Sequence, residues 1–338
     1  MFIPIRKLFS IAILCILCNL AFAASPYASF FQQYEDEYRL ENPYVSHQIN
    51  RQGYQLHARE FGASNSGPTV IMMHGFPDTL HLYDLVAPKL ATKRHVVVFD
   101  FLGWGESEKP IGFDYTVAEQ VADLDAIIDH FNLQQVILVM HDASGPPAID
   151  WALKNKNRLA GLVLLNTYYS PMQSLRLPEA VEFFATPGPQ REQTVEQMNN
   201  NNELWLTSYI QQLDAFFSRE KNKETFTKIL AHQSLAIRPA FFSLTSKLFS
   251  DVATRADRLD ELTSLDHPVR IIFGAEDPYL NIFVATQFFA LFPQSELFLI
   301  RNAGHFVQLD KPNRVAALIA DFLNEEHERD DNKQSNHD

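Results

Sequence analysis

An α/β fold with a mostly parallel central sheet, helices on both of its faces and an inserted helical cap is predicted by three observations. Short β-rich runs at 69–73, 96–99, 136–140, 162–165, 270–273 and 296–300 alternate with helical patterns, and such alternation builds a parallel sheet through crossover helices. The runs are nearly all apolar, as strands covered on both faces must be. Between the fourth and fifth runs the alternation stops, and from about residue 171 to 262 the pattern is helical, as at 204–217 and 224–235. Pro187-Gly188-Pro189 and the polar run Asn199-Asn200-Asn201-Asn202 punctuate it. Strands resume at Val269 in the earlier style, which an insertion into one sheet explains better than a separate helical domain. A cap of this kind excludes water and shapes an apolar pocket.

The 338 residues are 46% apolar, enough for one large core with a smaller attached unit. Arg6 and Lys7 precede a mostly apolar run at 8–20, and Ala21-Phe22-Ala23 fits a small-x-small cleavage site. Residues 1–23 therefore read as a secretory signal peptide. The apolar run is shorter than the ~20 residues that span a bilayer, so export to a periplasm or the medium is expected, with no stable membrane insertion after cleavage. Both cysteines, Cys15 and Cys18, fall in this leader, and the mature chain needs no disulfide. A net charge of −13 disfavours nucleic acid and anionic lipid as partners. The expected organisation is core over 24–167, cap over 168–262, core over 263–324, and a polar, disordered tail over 325–338.

Five motifs follow the predicted strands in order. They are His74-Gly75-Phe76-Pro77, Asp100-Phe101-Leu102-Gly103-Trp104-Gly105, His141-Asp142, Gly274-Ala275-Glu276-Asp277-Pro278 and Ala303-Gly304-His305. Together they resemble the α/β-hydrolase superfamily, specifically the branch of epoxide hydrolases and haloalkane dehalogenases. The resemblance covers roughly residues 50 to 323 and is weakest in the cap. It implies that Asp142, Asp277 and His305 meet as a triad at the carboxyl ends of the strands. It also implies an oxyanion hole formed by the N–H groups of Phe76 and Ala143. Glu276 rivals Asp277 as the acid, but the resemblance places that role at the Asp-Pro position.

Two groups compete for the nucleophile. In the general elbow pattern small residues stand two before and two after it; Ser144 would put Asp142 and Pro146 there, whereas Asp142 is followed by Ser144 and Gly145. Ser144 is expected at a helix N-cap, with Pro146 and Pro147 in the first turn, where a missing N–H costs nothing. An aspartate, with an ordinary pKa near ~3.9, attacks as the carboxylate, and His305 then activates water against the resulting ester. A serine would instead need His305 as base in the first step, and Ser144 stays the nucleophile of an alternative esterase or lactonase. His74, Asp100, Gly103 and Gly105 read as turn scaffolding rather than a nucleotide site.

The attacked carbon depends on the leaving group. Haloalkane dehalogenases hold the halide with side-chain N–H donors, and the positions expected to supply them carry Phe76 and Ala143 here; Trp205 is the remaining candidate. Epoxide hydrolases need a phenol for the epoxide oxygen, and Tyr209 is the first candidate, followed by Tyr168 and Tyr169 at the entrance to the cap. The first reading is an epoxide hydrolase for a small apolar substrate, the second a haloalkane dehalogenase with the same Asp142. The complete triad disfavours a non-catalytic binding protein on this scaffold. The reading calls for no cofactor and no metal.

Overall fold

The computed structural model describes residues 25–335, with side chains to residue 325. The leader expected over 1–23 lies outside the described residues. Eight strands form one sheet: β1 (Val45–Arg51), β2 (Tyr54–Phe61), β3 (Thr69–Met73), β4 (Val96–Phe99), β5 (Val136–Asp142), β6 (Leu159–Thr167), β7 (Val269–Gly274) and β8 (Ser295–Ile300). Their order is β1-β2-β4-β3-β5-β6-β7-β8. β2 is antiparallel to both β1 and β4, and every other pairing is parallel. All six runs read from the sequence are strands. Every residue of β3, β4 and β7 is buried, which is why their sequences are apolar without alternation.

The helices, in chain order, are α1 (Ala28–Glu41), α2 (Ala87–Leu90), α3 (Val117–His130), α4 (Gly145–Lys154), α5 (Glu179–Ala185), α6 (Pro189–Asn200), α7 (Asn202–Asp214), α8 (Glu220–Ala253), α9 (Ile282–Leu291), α10 (Val307–Asp310) and α11 (Pro312–Ser335). α3 packs on α4 and β1, and α11 packs on α2 and β7. The inserted helices α5 to α8 lie between the end of β6 and the start of β7. Asn201 in the polar run caps α7, accepting the Leu204 N–H at 3.0 Å. Pro239 interrupts α8 and withholds the N–H that the Leu235 carbonyl needs. The Arg238 guanidinium replaces it, donating to Leu235 O at 3.1 Å and reaching Met198 O at 2.7 Å. One side chain thus repairs α8 and ties it to α6.

The hairpin β1–β2 and helix α1 went unread because their sequences are largely polar. Gln52 (φ 52°) and Gly53 (φ 96°) form a two-residue turn between paired Arg51 and Tyr54, and consecutive left-handed residues suit the twist of a hairpin. α1 docks through a buried network: Arg59 of β2 bonds Glu35 of α1 at 2.6 Å and Asp84 at 3.1 Å. His81 bridges the same two carboxylates at 3.1 and 2.7 Å. Removing one partner from such a buried set costs about 3–5 kcal/mol, since a charge is stranded.

α11 continues to Ser335, and the last three residues of the tail expected over 325–338 lie outside the described residues. Val315, Leu318, Ile319, Phe322 and Leu323 bury one face of the helix. The polar residues beyond lack an apolar stripe, yet residues 325–335 contain no proline or glycine, so a helix already nucleated propagates.

Candidate active site

β5 ends at Asp142, whose φ of 48° turns the chain sharply into α4. A non-glycine residue there costs about 1–3 kcal/mol and persists only where its surroundings hold it. Two glycines allow that grip. A Cβ on Gly75 would lie 2.4 Å from Asp142 Cβ, and one on Gly145 would lie 2.2 Å from both Thr167 Oγ1 and Tyr168 O. Thr167 Oγ1 donates to the Asp142 carbonyl at 2.6 Å. The Asp142 carboxylate accepts the Phe76 N–H at 2.9 Å, and the Ala143 N–H points to the same group. His74 serves the loop: its Nε2 accepts the Phe101 N–H at 3.1 Å, leaving Nδ1–H to donate to Gly75 O at 2.7 Å.

Ser144 holds the position before α4 but makes no side-chain cap. Its fully buried hydroxyl accepts the His141 N–H at 2.8 Å and lies 2.7 Å from His141 O and 3.0 Å from Met73 O. The expected N-cap bond is therefore corrected to a clasp beneath the turn. A hydroxyl surrounded in this way faces away from the cavity, which corrects Ser144 as a nucleophile.

His305, just beyond β8, donates Nδ1–H to Asp277 Oδ2 at 2.8 Å and holds Nε2 4.0 Å from Asp142 Oδ1. Asp277 also accepts the N–H groups of Tyr279 and Leu280 at 2.8 and 3.1 Å. Glu276 turns outward to the Asn302 N–H. A small cavity of about 40 Å³ opens on Asp142, Ala143, Phe76 and His305, walled by Leu175, Val181, Phe216 and Leu244. Tyr168 lines it, and among the described residues its hydroxyl makes no hydrogen bond.

The other aromatic candidates are corrected by their hydrogen bonds. Tyr209 donates to Pro77 O at 2.9 Å and lines a neighbouring apolar pocket. Tyr169 donates to Asp150 at 2.9 Å, under α4. Trp205 Nε1–H donates to Ser234 at 3.0 Å, so it is not free for a halide. A narrower side pocket opens beside Ala143 and Tyr168, where the small side chain leaves room, and is lined beyond them by Gln120, Asp251 and Arg255.

Residues 68–312 match the family model for the alpha/beta hydrolase fold. The chain belongs to the α/β-hydrolase family. Haloalkane dehalogenase 2 of Mycobacterium tuberculosis is 25% identical over 75% of this chain and 87% of its own length. A 2-hydroxy-6-oxononadienedioate/2-hydroxy-6-oxononatrienedioate hydrolase of Cupriavidus pinatubonensis is 25% identical over 80% of this chain and 91% of its own. Among solved structures, epoxide hydrolase CorEH has a TM-score of 0.65 at 21% identity, covering 82% of this chain and 98% of that one. Haloalkane dehalogenase DatA from Agrobacterium tumefaciens has a TM-score of 0.69 at 20% identity, covering 84% and 97%. Likenesses at that identity establish the fold.

The electrostatics of this α/β hydrolase centre on His305. Burial alone would lower it, but the carboxylates of Asp277, Asp142 and Asp78 prevail and push its pKa up to about 9. Burial likewise works to raise Asp277, yet His305 and its N–H donors hold it below the ordinary range. Asp142 is raised by burial, against the pull of His305 and the two N–H groups. Three neighbours escaped the sequence reading. Asn166, at the end of β6, donates to Asp277 Oδ2 at 3.0 Å and fixes its orientation. Asp78 is buried with Oδ2 3.9 Å from His141 Nδ1, and burial together with Asp142 pushes its pKa up to about 8. Tyr279, two residues after Asp277, is the second phenol lining the cavity. Asp78 and Tyr279 directly follow the first and the fourth motif, whereas Asn166 stands beside none.

Proposed function

We propose that this α/β hydrolase is an epoxide hydrolase working through an ester on Asp142, with His305 as base and Asp277 as its partner. The supporting observation is that the turn after β5 presents the Asp142 carboxylate toward His305 while Ser144 is sealed beneath it. Asp142 attacks the epoxide carbon, the C–O bond breaks, and its electron pair goes to the oxygen, held by the Tyr168 hydroxyl. Ester formation removes the negative charge of Asp142, one of those that keep His305 protonated. His305 then sheds its proton to the alkoxide and becomes a neutral base. It next takes a proton from water as the water attacks the ester carbonyl. The N–H groups of Phe76 and Ala143 meet the resulting oxyanion. Collapse breaks the ester C–O bond, the hydroxyl proton of the intermediate passes to the leaving alkoxide, and the diol and the Asp142 carboxylate are freed with His305 protonated again.

A halide would find no side-chain N–H at Phe76 or Ala143, which favours the epoxide. The haloalkane dehalogenase relatives favour a second reading with the same Asp142. Both are tested by exposing His305→Gln to an epoxide, a bromoalkane and an aryl ester and locating the adduct by peptide mass spectrometry. The epoxide reading expects a hydroxyalkyl mass on Asp142, the halide reading an alkyl mass there; an adduct on Ser144 overturns both. We also propose export by the leader, tested by N-terminal sequencing of the mature protein, which should begin at Ala24.

A further inference from the structure

Two features of the cavity mouth are not used by the chemistry above. The loop between β6 and α5 carries Leu175 and Arg176, and both residues line the catalytic cavity as well as an open outer groove. The groove wall is otherwise uncharged, with Gln173, Ser174, Asn281 and Gln287. Arg176 is the one lysine or arginine in either lining. Its backbone is pinned by donation to Tyr279 O at 3.3 Å. Its side chain is exposed and, among the described residues, makes no hydrogen bond or ion pair. The nearby carboxylate of Glu179 faces the Tyr279 hydroxyl together with Gln212.

From this placement we infer that Arg176 binds an anionic end of the substrate, so that the preferred substrate is an amphipathic epoxide bearing a terminal carboxylate. The inference rests on the epoxide-hydrolase reading and names its substrate class. Leu175, Leu177, Val181 and Leu248, in the same lining as Arg176 and Asp142, would flank the hydrocarbon part. The guanidinium holds the carboxylate in the groove, where planar bidentate pairing is available. It also offsets the repulsion an anion meets in a protein of net charge −13 whose cavity floor carries Asp142.

The test compares a terminal-epoxide alkanoic acid of about ten carbons with the primary amide of the same acid, at low and at 1 M salt. The wild-type enzyme should prefer the acid in kcat/KM, and salt should shrink the preference by screening. Arg176→Gln should lower the acid-to-amide ratio of kcat/KM about threefold to fivefold, the acid losing it through KM, while Arg176→Lys keeps part of the preference. An equal ratio in the wild type and Arg176→Gln overturns the role of Arg176 while amide turnover still upholds the epoxide reading. No turnover of either compound by the wild type overturns both.

Discussion

Gly75→Ala isolates the turn on which the proposed chemistry depends. The position is not left-handed, so alanine meets no backbone penalty there. The new methyl, however, would lie 2.4 Å from Asp142 Cβ, 2.8 Å from its Oδ2 and 3.1 Å from its Cγ. Carbon atoms rest about 3.5–4.0 Å apart, so the Asp142 side chain must retreat by about 1 Å. Its 2.9 Å bond from the Phe76 N–H then leaves the normal range of hydrogen bonds. A displacement of that size costs about 10²-fold in rate, or about 2.7 kcal/mol of barrier. Overpacking should also cost about 1–3 kcal/mol of stability, a fall of several degrees in Tm. The assay is single-turnover formation of the Asp142 ester at saturating epoxide, by rapid quench and peptide mass spectrometry, alongside thermal unfolding. Ester formation within threefold of wild type in the folded variant would refute the reasoning.

Other expectations follow from the same geometry. Tyr168→Phe should lower epoxide kcat/KM by about 10²-fold, the usual worth of a hydrogen-bond donor placed on a developing oxyanion, with little change for a bromoalkane. Tyr209→Phe should leave kcat/KM for the epoxide intact and cost about 1 kcal/mol of stability through the lost bond to Pro77 O. Ala143→Trp would fill the side pocket and bring an indole N–H to the cavity, so the ratio of bromoalkane to epoxide turnover should rise. Asp78, raised from 3.8 to about 8, holds more protons folded than unfolded between those values, so its contribution to stability falls as pH rises through that window. Asp78→Asn should therefore gain on wild type by about 1–3 kcal/mol between pH 5 and pH 8 in denaturant unfolding, and a constant difference would contradict it.

The legible parts of the molecule were those written in local pattern. Continuous apolar runs revealed the six central strands, because strands buried on both faces leave no other composition. The edge hairpin did not stand out: β1 alternates weakly and exposes much of its length, and its turn, Gln52-Gly53, is a muted form of the usual signal. The triad could be placed because each member ends a strand inside a motif. Asn166 could not, since its partner Asp277 is 111 positions away and only the β6–β7 pairing joins them. The cap aromatics were misassigned for a related reason: composition marks Tyr209, Tyr169 and Trp205 as able to donate, but the acceptors Pro77 O, Asp150 and Ser234 are set by packing.

The pairing of β2 with β4 has a practical consequence for dissecting the protein. The family match begins at residue 68, beyond both hairpin strands, and invites truncation there. Such a fragment would lose α1, β1 and β2 together, leaving Asp84 and His81 without Arg59 and Glu35. It would also lay bare one side of β4, Val96-Val97-Val98-Phe99, whose backbone now bonds β2. An unprotected apolar edge recruits strands from other molecules. The shortened chain should accumulate as inclusion bodies, while one beginning near Ser25 should remain dispersed, so the minimal folding unit is larger than the segment that matches the family.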